Sequence, residues 1–526
     1  MKSEDLLTPD NLEILSKLKK TNDYQNYFKW FLAITQIPHE TFHCNEIVNK
    51  VCEWLKLLDI SYERDDSNNI VARLPPNNFP DNSPWVAIQT HLDMVWVGEE
   101  VGGKIKVELI QNFKNEEGKI IDILKAPKST LGADDGFGLA LCLDIIENRD
   151  KFNHGPLEII MTSDEEQAIV GAKKLPKKND KNGKISPFKF KYLINCDCLK
   201  SDKIYVGCPG CELFNIKLFP SFELINKGVE INIKLENFSG GHSGGTIQNG
   251  QGNPIKWIAH ILNSLKLNSI NFQITNLNGG QMMNTIPTSC ECSFIVDEQN
   301  KSISEKIIIS IIQNLKEDFS TIETKLNYSI NYNTLTANKN ALTKQDSIQI
   351  INVITLIRHG IMRMHPVFKE RVDSSNNLGI VSLKYNKKEN GENEAEVSIT
   401  CYSRGATNTE FDKIENSIRA IFELCPIKNE FKTYIGSRPW PPKENSKLAE
   451  IMGNIAKENY NLDLKPGLVQ VTIECPIFLS LGYDDADIVS ICSNVPLAHC
   501  IGEYLDIHES IIYRDIIIKT LEKLTK

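Results

Sequence analysis

Short apolar runs recur along this chain, and several stop at a histidine or an acid. Val86, Ala87 and Ile88 form one such run, which ends in His91 and Asp93. Leu157-Glu-Ile-Ile-Met161 forms another and leads into Asp164, Glu165 and Glu166, and Tyr192-Leu-Ile-Asn195 leads into Asp197. Unbroken runs of this length predict strands buried on both faces, as in a parallel sheet. Elsewhere the spacing is helical. Leu12, Ile14, Leu15 and Leu18, then Ile47, Val51, Leu55 and Leu58, predict helices between residues 11 and 60. Residues 61–73 predict two strands joined by a polar turn. An apolar helix is predicted from about Gly136, with Asp134 and Asp135 just before or in its first turn. Acids there act as caps, but one is enough, so the other is free for different work. Residues 507–524 close the chain as an amphipathic helix.

The pattern changes after Lys203. Residues 211 to about 433 carry fewer buried runs and more Asn, Ser and Lys. Helix and strand signals still alternate: Ile255, Ile258, Ile261, Leu262 and Leu265 are helical, the segment 397–404 reads as a strand ending in Arg404, and 411–424 as a helix. Within this region Ser239-Gly-Gly-His-Ser-Gly-Gly245 places four glycines around His242. Glycines let backbone approach a ligand closely, although a flexible surface loop would look the same. From Trp440 onward the first character returns, with Glu474 before a helix and His499 after the β-like run 488–492. The expectation is a first domain in two parts, 1–210 and 434–526, split by an inserted domain, 211–433. No internal repeat of fixed period is evident.

At 526 residues the chain is too long for a single core. Its 41% hydrophobic and 24% charged residues are those of a soluble globular protein. The net charge of −9 argues against a nucleic-acid partner, which needs a basic face, while leaving a small peptide substrate open. Acids near the N-terminus stand where a signal peptide has an apolar segment, and no apolar run approaches about 18 residues, so neither secretion nor a membrane span is expected. Fourteen cysteines are then expected to stay reduced. Cys208-Pro-Gly-Cys211 has redox-pair spacing, but an alternating strand pattern follows it where a redox motif needs a helix.

The chemistry gathers in the first domain. His91 and Asp93 share one face of an extended segment, and a metal-binding histidine commonly leans on a carboxylate through its second nitrogen. Three predicted strands and one helix start each deliver a histidine or a carboxylate at the end where ligands bind in open α/β sheets. One histidine with several carboxylates suits a zinc or manganese hydrolase. Glu165 and Glu166, adjacent on an extended segment, would face different ways, one toward metal and one toward water.

These residues resemble a family. His91-Leu-Asp-Met-Val95, Leu131-Gly-Ala-Asp-Asp135, Asp164-Glu-Glu166, Leu193-Ile-Asn-Cys-Asp197, Ile204-Tyr-Val-Gly-Cys208, Gly240-Gly-His-Ser-Gly-Gly245, Asn284-Thr-Ile-Pro287, Asn376-Asn-Leu-Gly379, Ser403-Arg404 and His499 run in the order found in the aminoacyl-histidine dipeptidases, also called cytosol nonspecific dipeptidases. These are di-zinc exopeptidases related to carnosinase and aminoacylase. The resemblance implies an α/β fold of zinc-exopeptidase type: a mixed sheet with helices on both faces, interrupted by an inserted α/β lid or dimerisation domain. It also implies a cytoplasmic homodimer that hydrolyses dipeptides, of Xaa-His type or of broad specificity. An N-acyl amino-acid amidohydrolase on the same fold is the alternative.

The roles it implies are specific. His91 and Asp197 would bind one zinc, Glu166 and His499 the second, and Asp134 would bridge them, with manganese or cobalt as alternatives. Asp93 would orient His91, and Glu165 would be the general base. His242 would reach a neighbouring subunit's site, and Arg404 would grip the substrate carboxylate. Asn284 and Glu474 are read as further substrate contacts. Two dications would be balanced by Asp134, Glu166, Asp197 and one metal-bridging hydroxide. The chain departs from the family beside three ligands: Gln167 follows the paired glutamates, Cys198 follows Asp197, and Cys500 follows His499.

Overall fold

A computed structural model describes residues 2–98, 103–167, 169–180, 182–366, 368–369, 371–387, 393–443, 445–469 and 472–524. The chain divides into two compact units. One comprises Met1–Cys208, Trp440–Val469 and Ile473–Lys526; the other is Pro209–Pro439, with Thr472 added from the return segment. Among the described residues no helix is long and apolar enough to cross a membrane.

The first unit is built on an eight-stranded mixed sheet. Its strands are β1 (Tyr62–Arg64), β2 (Ile70–Leu74), β3 (Val86–His91), β4 (Leu157–Thr162), β5 (Tyr192–Asn195), β6 (Ile204–Tyr205), β7 (Pro466–Gly467) and β8 (Asp487–Ser490), in the order β1-β2-β4-β3-β5-β8-β6-β7. The central pairs β4–β3, β3–β5 and β5–β8 are parallel. Every residue of β3, β4, β5 and β8 is buried, which is why the core of each reads as a short apolar run. Register places His91 beside Thr162 and Gln89 beside Asn195, so the ends of β3, β4 and β5 arrive level.

Helices cover the sheet. The helix α1 (Asn22–Ile34) packs on α2 (Ala133–Glu147), which lies against β3. All but the last residue of α2 is buried, consistent with a sequence apolar all round. Asp134 and Asp135 lie inside its bounds but have non-helical backbone angles, so the regular helix begins at Gly136. Toward the C-terminus α3 (Lys447–Tyr460) packs against α4 (Ile507–Lys523). A three-stranded antiparallel sheet, Tyr504–Asp506, Ile120–Lys125 and Glu108–Lys114, completes the unit.

The second unit is an antiparallel nine-stranded sheet with helices, including Pro254–Leu267, Lys344–Leu356 and Asn408–Leu424. Burial alternates along its strands, as in Asn393–Gly405, because one face meets the core. Phe214, Ile231, Ile233, Leu262 and Phe294 lie in that core. Burying each such side chain contributes about 1.5–3 kcal/mol.

Candidate metal centre and a separate polar cluster

In the first unit, the level strand ends bring six groups together. His91 closes β3, Glu165 and Glu166 follow β4, and Asp197 follows β5. Asp134 comes from the start of α2, and His499 from the loop after β8. The Asp134 carboxylate lies between the two imidazoles: Oδ1 is 3.2 Å from His91 Nε2 and Oδ2 is 3.0 Å from His499 Nε2. Glu166 Oε1 is 2.9 Å from the same His499 nitrogen.

Three groups of ligand atoms, each within 4.8 Å of one another, could hold a metal ion: His91 with Asp134 and Asp197, Asp134 with Glu166 and His499, and His91 with Glu165 and Glu166. The donor chemistry fits divalent cations. Burial, then the charges of Asp197 and Glu166, push the Glu165 carboxyl well above the ordinary carboxylate range. Burial and then Asp134 do the same to Asp197. Burial alone would raise Asp134, but hydrogen bonds to His499 and His91 bring it below the ordinary range. So much buried negative charge, arranged around two imidazoles, is what two dications would neutralise.

The two neighbouring aspartates diverge. Asp135 turns inward, accepting from Thr90 Oγ1 at 2.5 Å and from the Gly138 N–H at 2.9 Å, so it caps α2. Asp134 is left to face the histidines.

One expectation gains detail and a second needs correction. Asp93 meets His91 mainly through its backbone carbonyl, 2.9 Å from Nδ1, while its carboxylate lies 3.5 Å away. That carboxylate also accepts the N–H groups of Glu165 and Glu166. Further, the segment carrying Glu165 and Glu166 is not extended. Asp164 has φ 51°, and the Ile169 N–H donates back to the Glu165 carbonyl at 2.8 Å. Both glutamates therefore approach His91, and strand alternation does not separate them.

Glu474, read as a substrate contact, has no exposed area, and its carboxylate accepts from Gln89 and from Thr162 Oγ1. Gln89 accepts in turn from Asn195 Nδ2 at 2.6 Å, and Asn195 accepts the Asp197 N–H at 3.2 Å. The sequence reading missed this layer, although Gln89 and Thr90 interrupt an otherwise apolar strand and were its visible signal. Buried amides and hydroxyls in such a strand need partners.

In the second unit, His242 lies in a short strand paired with Thr285, and the Asn284 carbonyl accepts the Ser243 N–H at 2.9 Å. His242 Nδ1 accepts the N–H groups of Gly244 and Gly245 at 3.3 and 2.9 Å, so the neutral ring carries its proton on Nε2. Arg404 Nη2 lies 3.5 Å from that Nε2. Burial, then Arg404, lower the His242 pKa to about 4. Arg404 is itself buried, and its Nε and Nη1 have no hydrogen-bond partner among the described residues. A Cβ at Gly244 would lie 2.6 Å from Arg404 Nε, so only glycine leaves room for the guanidinium. Such a group is suited to receiving an anion.

Comparison with known proteins agrees with this architecture. Residues 233–323 match the family model described as a peptidase dimerisation domain. The chain is 26% identical over 497 residues to the cytosol non-specific dipeptidase of Escherichia coli, an alignment spanning 94% of this chain and 96% of that one. Its fold matches the crystal structure of aminoacylhistidine dipeptidase from Vibrio alginolyticus with a TM-score of 0.79, at 22% identity and over 97% and 98% of the two chains. The aminopeptidase PepT of Bacillus cereus shares the fold more distantly, with a TM-score of 0.53 at 14% identity over 96% and 99% of the chains. The resemblance read from the motifs therefore extends over nearly the whole chain.

Proposed function

We propose that this chain is a metal-dependent dipeptidase that hydrolyses short peptides bearing a free carboxylate. The observation that carries the reading is the convergence of His91, Asp134, Glu165, Glu166, Asp197 and His499 at the ends of parallel strands. In this reading His91, Asp134 and Asp197 hold one ion, and Asp134, Glu166 and His499 hold the other. Zinc suits these nitrogen and oxygen donors, and manganese or cobalt are the alternatives. Bound there, the ions polarise the scissile carbonyl and acidify water toward neutral pH.

The side chains supply the remaining steps. Glu165 takes the proton of the attacking water and returns it to the leaving amine. Its place beside His91 and Glu166 puts it within reach of water held at the site, as a base requires. Asp93 holds the Glu165 backbone in place. Arg404, with two unpartnered nitrogens, takes the substrate carboxylate. The Nε2–H of His242 donates to the carbonyl oxygen as it gains charge. The family resemblance has it do so from a second subunit, and the match to a peptidase dimerisation domain supports a homodimer. The cytosol is the compartment implied by the relative's name.

Purified protein loaded separately with zinc, manganese and cobalt should release free amino acids from a dipeptide panel that includes peptides with histidine second. Preferential cleavage of N-acetylated amino acids would shift the reading to an amidohydrolase. No hydrolysis with any of the three metals would defeat it.

A further inference from the structure

The irregular turn that opens α2, ahead of the regular turn that Asp135 caps, has no side-chain cap of its own. Gly132, the residue before it, has no side chain and adopts the left-handed conformation with φ 70°. The donors of this turn are nevertheless all satisfied. Glu503, about 370 residues away in sequence, places one carboxylate over four successive backbone N–H groups. Oε2 accepts from Leu131 at 2.8 Å and Gly132 at 3.1 Å; Oε1 accepts from Ala133 at 2.7 Å and Asp134 at 3.2 Å. Glu503 is 1% exposed. It also lies four residues after His499, and its own N–H donates to the Cys500 carbonyl at 3.1 Å. One side chain therefore ties together the two segments whose functional groups, Asp134 and His499, meet at 3.0 Å.

We infer that Glu503 is the positioning residue of the metal centre: its carboxylate holds the 131–134 turn so that Asp134 projects both oxygens between His91 and His499. Charge-assisted bonds to four N–H groups define that turn more tightly than a neutral cap would. Glu503 takes the backbone donors of the turn and Asp135 caps the first regular turn, so both sets of donors are engaged away from the Asp134 oxygens.

This inference rests on the metal site proposed above, and the test separates the two. Zinc is titrated into metal-free protein against a chromophoric chelator. Glu503→Gln keeps the shape but opposes two backbone N–H groups with an amide N–H. It should weaken zinc binding about 10–100-fold, the usual cost of losing a group that orients a metal ligand. At saturating zinc kcat should recover, with KM unchanged. Glu503→Asp, which keeps the charge but is one methylene shorter, covers the case in which the amide variant fails to fold. It should bind zinc more weakly than the wild type and no more weakly than Glu503→Gln. Glu158→Gln is the control. Glu158 is equally buried and accepts the N–H groups of Lys189 and Phe190, but it touches no proposed ligand. It should lower the melting temperature without moving zinc affinity. A folded Glu503 variant that binds zinc within about twofold of the wild type overturns the inference. A wild-type chain that binds none of zinc, manganese and cobalt defeats the metal reading instead.

Discussion

Asp93 holds Glu165 through the backbone: Asp93 Oδ1 accepts the Glu165 N–H at 2.9 Å, and Oδ2 accepts the Glu166 N–H at 3.3 Å. One buried carboxylate thus fixes the segment carrying both a proposed base and a proposed ligand. Asp93→Asn would set an amide N–H against one of those donors. The variant should stay folded by circular dichroism and lose about 10–100-fold in kcat/KM and in metal affinity. Unchanged metal affinity would mean that the segment holds itself.

Glu165→Gln should retain its metal and lose turnover. Removing a general base costs about 10²–10⁴-fold in rate. Metal content by elemental analysis and kcat on a dipeptide check this together. Wild-type turnover with metal in place would assign the base elsewhere.

Asp134→Ala should lose both ions. The carboxylate lies between His91 and His499 and belongs to both proposed ligand sets, so its loss leaves each ion one ligand short. Without it, Glu166 and Asp197 would remain as acids around an incomplete ligand set. Elemental analysis showing two ions per chain would remove Asp134 from the bridging position.

Arg404→Ala should weaken the binding of dipeptides about 10–100-fold and that of their C-terminal amides much less, since a planar guanidinium is matched to a carboxylate. Its two unpartnered nitrogens motivate the comparison. KM measured on acid and amide pairs decides it, and equal losses would show that Arg404 reads another feature.

His242 should remain neutral until the solution is distinctly acidic. Its folded pKa is about 4 against an ordinary value of 6.5. Between those values the unfolded chain binds a proton that the folded ring refuses. Stability from this group is therefore complete above pH 6.5 and declines as pH falls toward 4. NMR titration of the ring should show the low pKa, and Arg404→Ala should raise it, because the nearby guanidinium is the second cause of the depression. A pKa near 6.5 in the wild type would contradict the half-buried, Arg404-facing position.

By itself the sequence determined the strands, the α2 helix and the acids that follow them. A strand buried on both faces is mostly apolar, and a helix must repeat at its own period, so 86–91, 157–162, 192–195 and the helix from Gly136 were legible locally. What only the tertiary structure decided lies where distant segments meet. Whether Asp134 or Asp135 faced the histidines depended on Thr90 and Gly138 claiming the second acid. The directions of Glu165 and Glu166 followed from a turn with Asp164 at φ 51°, not from strand alternation. The burial of Glu474, and the bonds its carboxylate accepts from Gln89 and Thr162, come from segments far from it in sequence. Glu503 carried no local signal, because its four hydrogen-bond donors lie about 370 residues earlier. Periodicity records what each residue does to its near neighbours in the chain. Which carboxylate caps, which orients and which stays free is set by the donors that folding brings to it, and those come from elsewhere in the chain.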